Sequence, residues 1–407
     1  MAAVVAEPLA SGAYRVAIVG TGGVGAYFAA RLAQAGCAVF CVARGAHLEA
    51  ISLWGVRVTS FAPDGDAVVR GFPAFVALHP APAETRSSQV RVAGAFSDPA
   101  SIGPVDLVVV ALKTWQLHAL DLSPLARVLL ERQLFAANCS LRSPSRLQLG
   151  PTTLLMPTQN GVDAPGVLGA SYGPERVLGG YTRITSLLTG PGCVAHTALH
   201  PAVQGTGLLP GAAPWAAAAL GRAATAWAKS PFLKLVIEPD VRLSMWRKLT
   251  VMAAYSAVCA ASRCPIGPLL AEPSTRALLR SAMAETVATA VACGVAMSES
   301  DVESGIAVLE SLHPGCTPSM QRDVLAGKPS ELEDQAGAVL RIAKERGVPT
   351  PVLGVLYAVL GPQERVARGE LVLPAHTESS DHTPMDSLME CARTKVLRLL
   401  FFYPAVC

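Results

Sequence analysis

The segment from Tyr14 to Val42 restricts the fold more than any other part of the chain. Tyr14 to Val19 (YRVAIV) is a short apolar run rich in β-branched residues, the pattern of a buried parallel strand. It leads directly into Gly20-Thr21-Gly22-Gly23-Val24-Gly25, then into the helix-patterned AYFAARLAQA and Gly36, a natural helix stop. A second apolar run, Cys37 to Val42, completes a βαβ unit. Gly20 permits the tight turn out of the strand, Gly22 lets the backbone approach a pyrophosphate, and Gly25 allows helix to pack closely on strand. The helix start adds unpaired N–H groups and the positive end of its dipole. A lone glycine motif means little in a chain with 35 glycines. Set between two strands and opening a helix, it predicts a dinucleotide site on Gly20, Thr21, Gly22, Gly23, Val24 and Gly25.

The end of the second strand selects among dinucleotides. An NAD site places Asp or Glu there, to accept hydrogen bonds from the ribose 2′-hydroxyl. This chain has Val42-Ala43-Arg44-Gly45, and a guanidinium suits a 2′-phosphate, so NADPH is the expected cofactor. Two further apolar runs, Val105 to Leu112 and Thr153 to Pro157, end at Lys113 and at Gln159-Asn160-Gly161. Ligands of open parallel sheets gather at strand carboxyl ends, which makes Lys113 and Asn160 candidate site residues.

Near Asp240 the character of the chain changes. From Ser244, MWRKLTVMAAYSAVCAASRC has helical periodicity, and Pro273 to Cys293, Pro318 to Leu325 and Glu331 to Arg346 are further predicted helices. The expected fold is α/β, an N-terminal Rossmann-type parallel-sheet domain (14–240) followed by an all-α C-terminal domain (241–362). Residues 132–150 read as an insertion, and 363–407 as a polar linker and poorly ordered tail.

Composition removes other classes. With 407 residues and 51% hydrophobic content, the chain can bury a sizeable core. A net charge of +3 leaves no footprint for nucleic acid or anionic membranes. The mean hydropathy of +0.40 comes largely from Ala and Val, and no stretch long enough to span a bilayer is free of charge and turn residues. The ten cysteines form no C-x-x-C pair and no zinc spacing, so they read as structural thiols of a reducing compartment, with no metal site. The N-terminus lacks a secretory pattern; a cytoplasmic location is expected, with organellar targeting left open. His118, His196 and His200 have no partner spacing and read as structural or surface groups.

Together the strings GTGGVG, VAR, ALKTW, QNG, GGYTRI, MWRKL and PSMQRDVLAGKPSELEDQAG resemble the ketopantoate reductase family (2-dehydropantoate 2-reductase, ApbA/PanE-like). The resemblance implies an NADP-dependent oxidoreductase acting on CH–OH groups. It would reduce 2-dehydropantoate to pantoate, a step of pantothenate and CoA biosynthesis, in a cleft between the two domains. The resemblance makes Lys248 the proton donor and Glu331 the acidic residue beside that lysine and the nicotinamide ribose. It puts Ser319 on the substrate carboxylate, Asn160 on both cofactor and substrate, and Arg44 and Lys113 on the cofactor. It also implies a small 2-oxo acid as partner and leaves room for a homodimer through the helical domain. Read from the residues alone, Ser330 and Glu333 also fit a capping box, which would leave Glu331 as first-turn charge.

Two departures stand out. Four and eight residues after the proton donor the family usually has Asn, and this chain has Met252 and Ser256. Ser256 keeps one hydrogen-bonding group and is carried as a substrate-binding residue; Met252 replaces none of the amide's bonds. A third family Asn position holds Ile266. Three readings follow: a ketopantoate reductase with a drifted substrate helix, a reductase of a different 2-oxo acid, or a non-catalytic NADP-binding paralogue.

Overall fold

The computed structural model describes residues 12–61, 85–98, 101–119, 149–197 and 201–372. His200, the tail after 372 and all of the expected insertion except 149 and 150 lie outside the described residues.

The βαβ unit forms as expected: β1 (Arg15–Val19), α1 (Gly23–Gln34) and β2 (Ala38–Val42). The chain continues through α2 (Gly45–Trp54), β3 (Val56–Phe61), β4 (Thr85–Val90), β5 (Gly94–Phe96), β6 (Val105–Val110), α3 (Thr114–Ala119) and β7 (Leu149–Pro157). Five of these strands make a parallel sheet in the order β5-β2-β1-β6-β7. Strand order reverses between β1 and β6, which opens a crevice where Gly20 and Lys113 leave the sheet. Alternation along β1 serves two cores: Val16 and Ile18 pack with α1 on one face, while Ala17 and Val19 meet Val108 and Val110 on the other. A sheet covered on both faces needs apolar side chains in both directions. This is why its strands read as continuous apolar runs.

Two small sheets are present that the sequence did not announce. One has the order β4-β3-β10-β9 and uses β9 (Ser186–Gly190) and β10 (Cys193–His196). The other, β12-β11-β8, uses β8 (Leu178–Arg183), β11 (Ala202–Leu208) and β12 (Leu233–Ile237). Between them α4 (Ala164–Tyr172) and α5 (Ala216–Trp227) cover the sheets. Strands such as LGGYTR and SLLTG carry glycine and polar residues where a clear apolar run would be needed to mark them.

From Asp240 onward the described chain is helical. The Asp240 carboxylate accepts the Leu243 N–H at 3.0 Å and caps α6 (Val241–Ser262), so the change in character there is a helix start. Then come α7 (Ile266–Ala271), α8 (Pro273–Ala292), α9 (Glu299–Glu310), α10 (Ser319–Leu325), α11 (Ala338–Arg346) and α12 (Pro351–Ala367), with a π-helical turn at Glu333–Gly337. The periodicity reading found all but the short α7, α9 and α12. α9 begins with a polar stretch whose capping box, Ser298 with Asp301, gives it a start. α12 runs through Pro362 to Ala367, so residues 363–367 are helix and not linker. Glu364 holds that end down: its carboxylate is buried and accepts the Ser330 N–H at 3.0 Å. No helix among the described residues is long and apolar enough to cross a membrane.

Candidate active site

A cleft of about 1820 Å³ separates the carboxyl ends of the parallel sheet from α6, α9 and α10. On the sheet side it is lined by Gly20, Thr21, Gly22, Gly23, Val24 and Arg44. Gly22 is the N-cap of α1 and supplies no side-chain cap, so the first N–H groups of that helix face the cleft unanswered. A Cβ on Gly22 would meet nothing within 4 Å, which leaves room for a pyrophosphate against bare backbone. Ser186, the first residue of β9, also lines the cleft and buries a hydroxyl without a hydrogen-bond partner among the described residues. Thr21 faces inward, its hydroxyl 3.0 Å from the Val42 carbonyl, and ties the glycine turn to β2. Gly25 lies behind the wall, where a Cβ would overlap the Gly20 carbonyl oxygen. The exposed Arg44 side chain makes no hydrogen bond or ion pair among the described residues. These residues fit a dinucleotide.

The chemical centre joins segments from both halves of the chain. The Lys248 ammonium, from α6, donates to Asn160 Oδ1 at 2.6 Å and to the Thr182 carbonyl at 2.7 Å. Asn160 Nδ2 donates in turn to Glu331 Oε2 at 2.8 Å, and Lys113 Nζ lies 3.8 Å from that same oxygen. Lys113 also reaches Asp323 at 3.3 Å, and Gln335 reaches Glu331 at 3.5 Å. The Asn160 amide orientation follows from this network: oxygen to the cation, nitrogen to the carboxylate. Burial lowers Lys248 from its ordinary value to about 8; the Glu331 charge opposes that fall and the Arg183 charge adds to it. A cation that releases its proton near neutrality now stands in the cleft, with two of its three N–H bonds used and the third unspent.

Lys113, Asn160, Lys248, Ser319 and Glu331 all line this cleft, although they are spread from residue 113 to residue 331. Glu331 is the network's acceptor and not first-turn charge: the helical turn begins after it, at Glu333. Ser256 is the exception. It is fully buried in the helical core, away from the cleft wall, and its hydroxyl has no hydrogen-bond partner among the described residues. At about 100° per residue, seven positions bring a helix back to within about 20° of its start, whereas eight overshoot by about 80°. Tyr255, seven after Lys248, therefore lines the cleft with Val251 and Met252. Thr182 was not foreseen either, since it acts through its backbone carbonyl and no side chain announces it. Arg322 and the α9 residues Ser300, Asp301 and Ser304 complete the helical wall.

The family model described as "Ketopantoate reductase PanE/ApbA" matches residues 16–135 and 140–207, and "Ketopantoate reductase PanE/ApbA C terminal" matches 240–364. A 2-dehydropantoate 2-reductase of Mesorhizobium japonicum is 27% identical over 350 residues, covering 85% of this chain and 96% of that protein. The uncharacterized oxidoreductase YkpB of Bacillus subtilis is 24% identical over 348 residues, 84% of this chain and 96% of its own. Among solved structures, a PanE/ApbA family ketopantoate reductase from Ralstonia eutropha JMP134 superposes with a TM-score of 0.66 at 24% identity, covering 87% of this chain and 99% of that one. D-mandelate dehydrogenase, solved with NADH and anilino(oxo)acetate, gives 0.65 at 19% identity, with 87% and 99% covered. At these identities the structural likeness speaks for the fold, while the sequence match over both halves carries the assignment. The chain belongs to the ketopantoate reductase family of oxidoreductases.

Proposed function

We propose that this protein reduces a 2-oxo acid to the 2-hydroxy acid at the expense of NADPH, with ketopantoate to pantoate as the first candidate reaction. The observation that carries the reading is Lys248, held by Asn160 and Thr182 with its affinity for protons lowered to about 8. When bound, the cofactor supplies the hydride to the carbonyl carbon. As charge builds on the carbonyl oxygen, the unspent Lys248 N–H stabilises it and delivers the proton. Asn160 and the Thr182 carbonyl fix the ammonium, and Glu331 keeps enough protons on it to serve as an acid. Arg44, exposed and without an acidic partner among the described residues, is suited to the 2′-phosphate that distinguishes NADPH from NADH.

A second substrate is favoured by one observation. Met252 lines the cleft with Val251, Val308 and Leu312, so the wall beside Lys248 is apolar where an amide would meet a substrate hydroxyl. The deciding experiment follows loss of NADPH absorbance with ketopantoate and a panel of 2-oxo acids bearing apolar side chains. Turnover of ketopantoate alone fixes the first candidate, and turnover of the apolar acids fixes the second. Tight NADPH binding without turnover of any acid overturns the reductase reading.

A further inference from the structure

We propose that Arg322 is a specificity-determining residue that grips the acid end of the substrate, sharing its carboxylate with Ser319. The inference rests on the reductase reading and names the group that selects acids over neutral ketones. Among the cations of the cleft, Lys113 pairs with Asp323 and Glu331, and Arg247 Nε donates to Asp301 at 2.7 Å. Arg322 has no carboxylate within ion-pair reach among the described residues, although it is half-buried in the cleft wall. The neighbouring Asp323 is already engaged by Lys113. An unpaired cation in a partly desolvated cleft is costly unless an anion arrives to meet it.

The guanidinium is also aimed. Its Nη1 donates to the Thr317 carbonyl at 2.5 Å and to Thr317 Oγ1 at 3.3 Å, which brings the head of the side chain back beside the segment that carries Ser319. Nε and Nη2 then form a free edge, with no hydrogen bond among the described residues. Two parallel N–H groups on one edge match the two oxygens of a carboxylate. The Ser319 hydroxyl on the same wall has no hydrogen bond among the described residues. The Tyr255 hydroxyl, also in the cleft lining, is buried without a hydrogen-bond partner among the described residues and is close enough to Arg322 to feel its charge. Unspent N–H and O–H donors gather on this wall. A carboxylate supplies the missing lone pairs.

The test uses the full chain and compares 2-oxoisovalerate and ketopantoate with their methyl esters. Arg322→Gln is expected to raise KM for the acids by about 10- to 100-fold and to change kcat by less than about threefold. The KM of the esters should stay put, so the preference for acid over ester collapses. Arg322→Lys restores part of it, since charge returns without the fork. Thermal unfolding of both variants separates a lost contact from a lost fold. Calorimetric titration of the acids into the protein–NADPH complex is run alongside. If the wild type binds the acids without turning them over and Arg322→Gln abolishes that binding, the reductase reading fails and the anion site stands. Unchanged acid KM or binding in Arg322→Gln, equal losses for acid and ester, or a wild type that binds neither acid overturns the inference.

Discussion

Lys248 concentrates the reactivity of the site, and its chemistry sets the pH dependence. With a proton affinity near 8, the ammonium form prevails below that pH, so reduction at saturating substrates should fall as pH rises through about 8. The reverse oxidation needs the neutral amine and should rise over the same range. Lys248→Met is expected to lower kcat by about 10²- to 10⁴-fold, the usual yield of a positioned general acid. Glu331 acts on the same group. Its negative charge raises the proton affinity of Lys248, so Glu331→Gln should move the alkaline limb of the kcat profile to lower pH. A limb that does not move would show that the carboxylate serves only Asn160. Met252→Asn should lower the KM for ketopantoate if that acid is the substrate. No change would mean that this wall faces another side chain. The sequence marked Lys113 and Asn160 from their places at strand ends, and the resemblance added Lys248, Ser319 and Glu331. The resemblance placed Ser256 on the substrate, whereas Tyr255 lines the cleft, because an eight-residue step along a helix turns a side chain off the face that a seven-residue step keeps.

Among the elements, the glycine turn and α1 show which constraints come from the fold and which from a ligand. Gly25 sits where a Cβ would strike the Gly20 carbonyl, which is backbone and cannot swing aside. Gly25→Ala should push α1 off β1 and destabilise the protein by about 2–4 kcal/mol, read as a fall in the unfolding midpoint. A Cβ on Gly22 would project into open space. Gly22→Ala should therefore leave the unfolding midpoint of the free protein within a degree or so while weakening NADPH binding about tenfold or more, as measured by titration. Equal stability losses in the two variants would refute this division. The same contrast explains what was legible. β1, β2, β6 and β7 are buried on both faces and read as apolar runs, and the parallel sheet could be drawn from them. β8 and β9 are short and rich in glycine and polar residues; β8 pairs with β11, which lies beyond both β9 and β10 in the chain, while β9 pairs with the adjacent β10 across a tight hairpin. No local pattern encodes the β8–β11 pairing, so the Thr182 carbonyl arrived in the cleft unannounced.

Across the whole molecule, the last described helix reaches the chemical centre by two routes. Glu364 on α12 accepts the Ser330 N–H, at 3.0 Å from each oxygen, and the Ser330 hydroxyl at 2.5 Å. Ser330 immediately precedes Glu331, so this carboxylate fixes the backbone that aims the acceptor of Asn160. One turn later Arg368 donates to Glu364 at 2.7 Å and lies 5.1 Å from the centre of the Trp115 ring. The Lys113 ammonium lies 5.5 Å from that same ring, so sheet and helices meet on one indole. Residues 363–368 are thus part of the support of the site, where polarity and a proline suggest a linker. Glu364→Ala leaves the buried Ser330 N–H and hydroxyl without their carboxylate acceptor and leaves Arg368 only the Ser330 carbonyl to donate to. Its cost should be about 2–4 kcal/mol, seen as a lower unfolding midpoint. Freed from that anchor, Glu331 should hold Asn160 and Lys248 less well. kcat should then fall by about tenfold or more, and its alkaline limb should shift in the same direction as in Glu331→Gln. A variant with the lowered midpoint but an unshifted limb would limit α12 to packing; one with both ties the far end of the helical half to the proton donor.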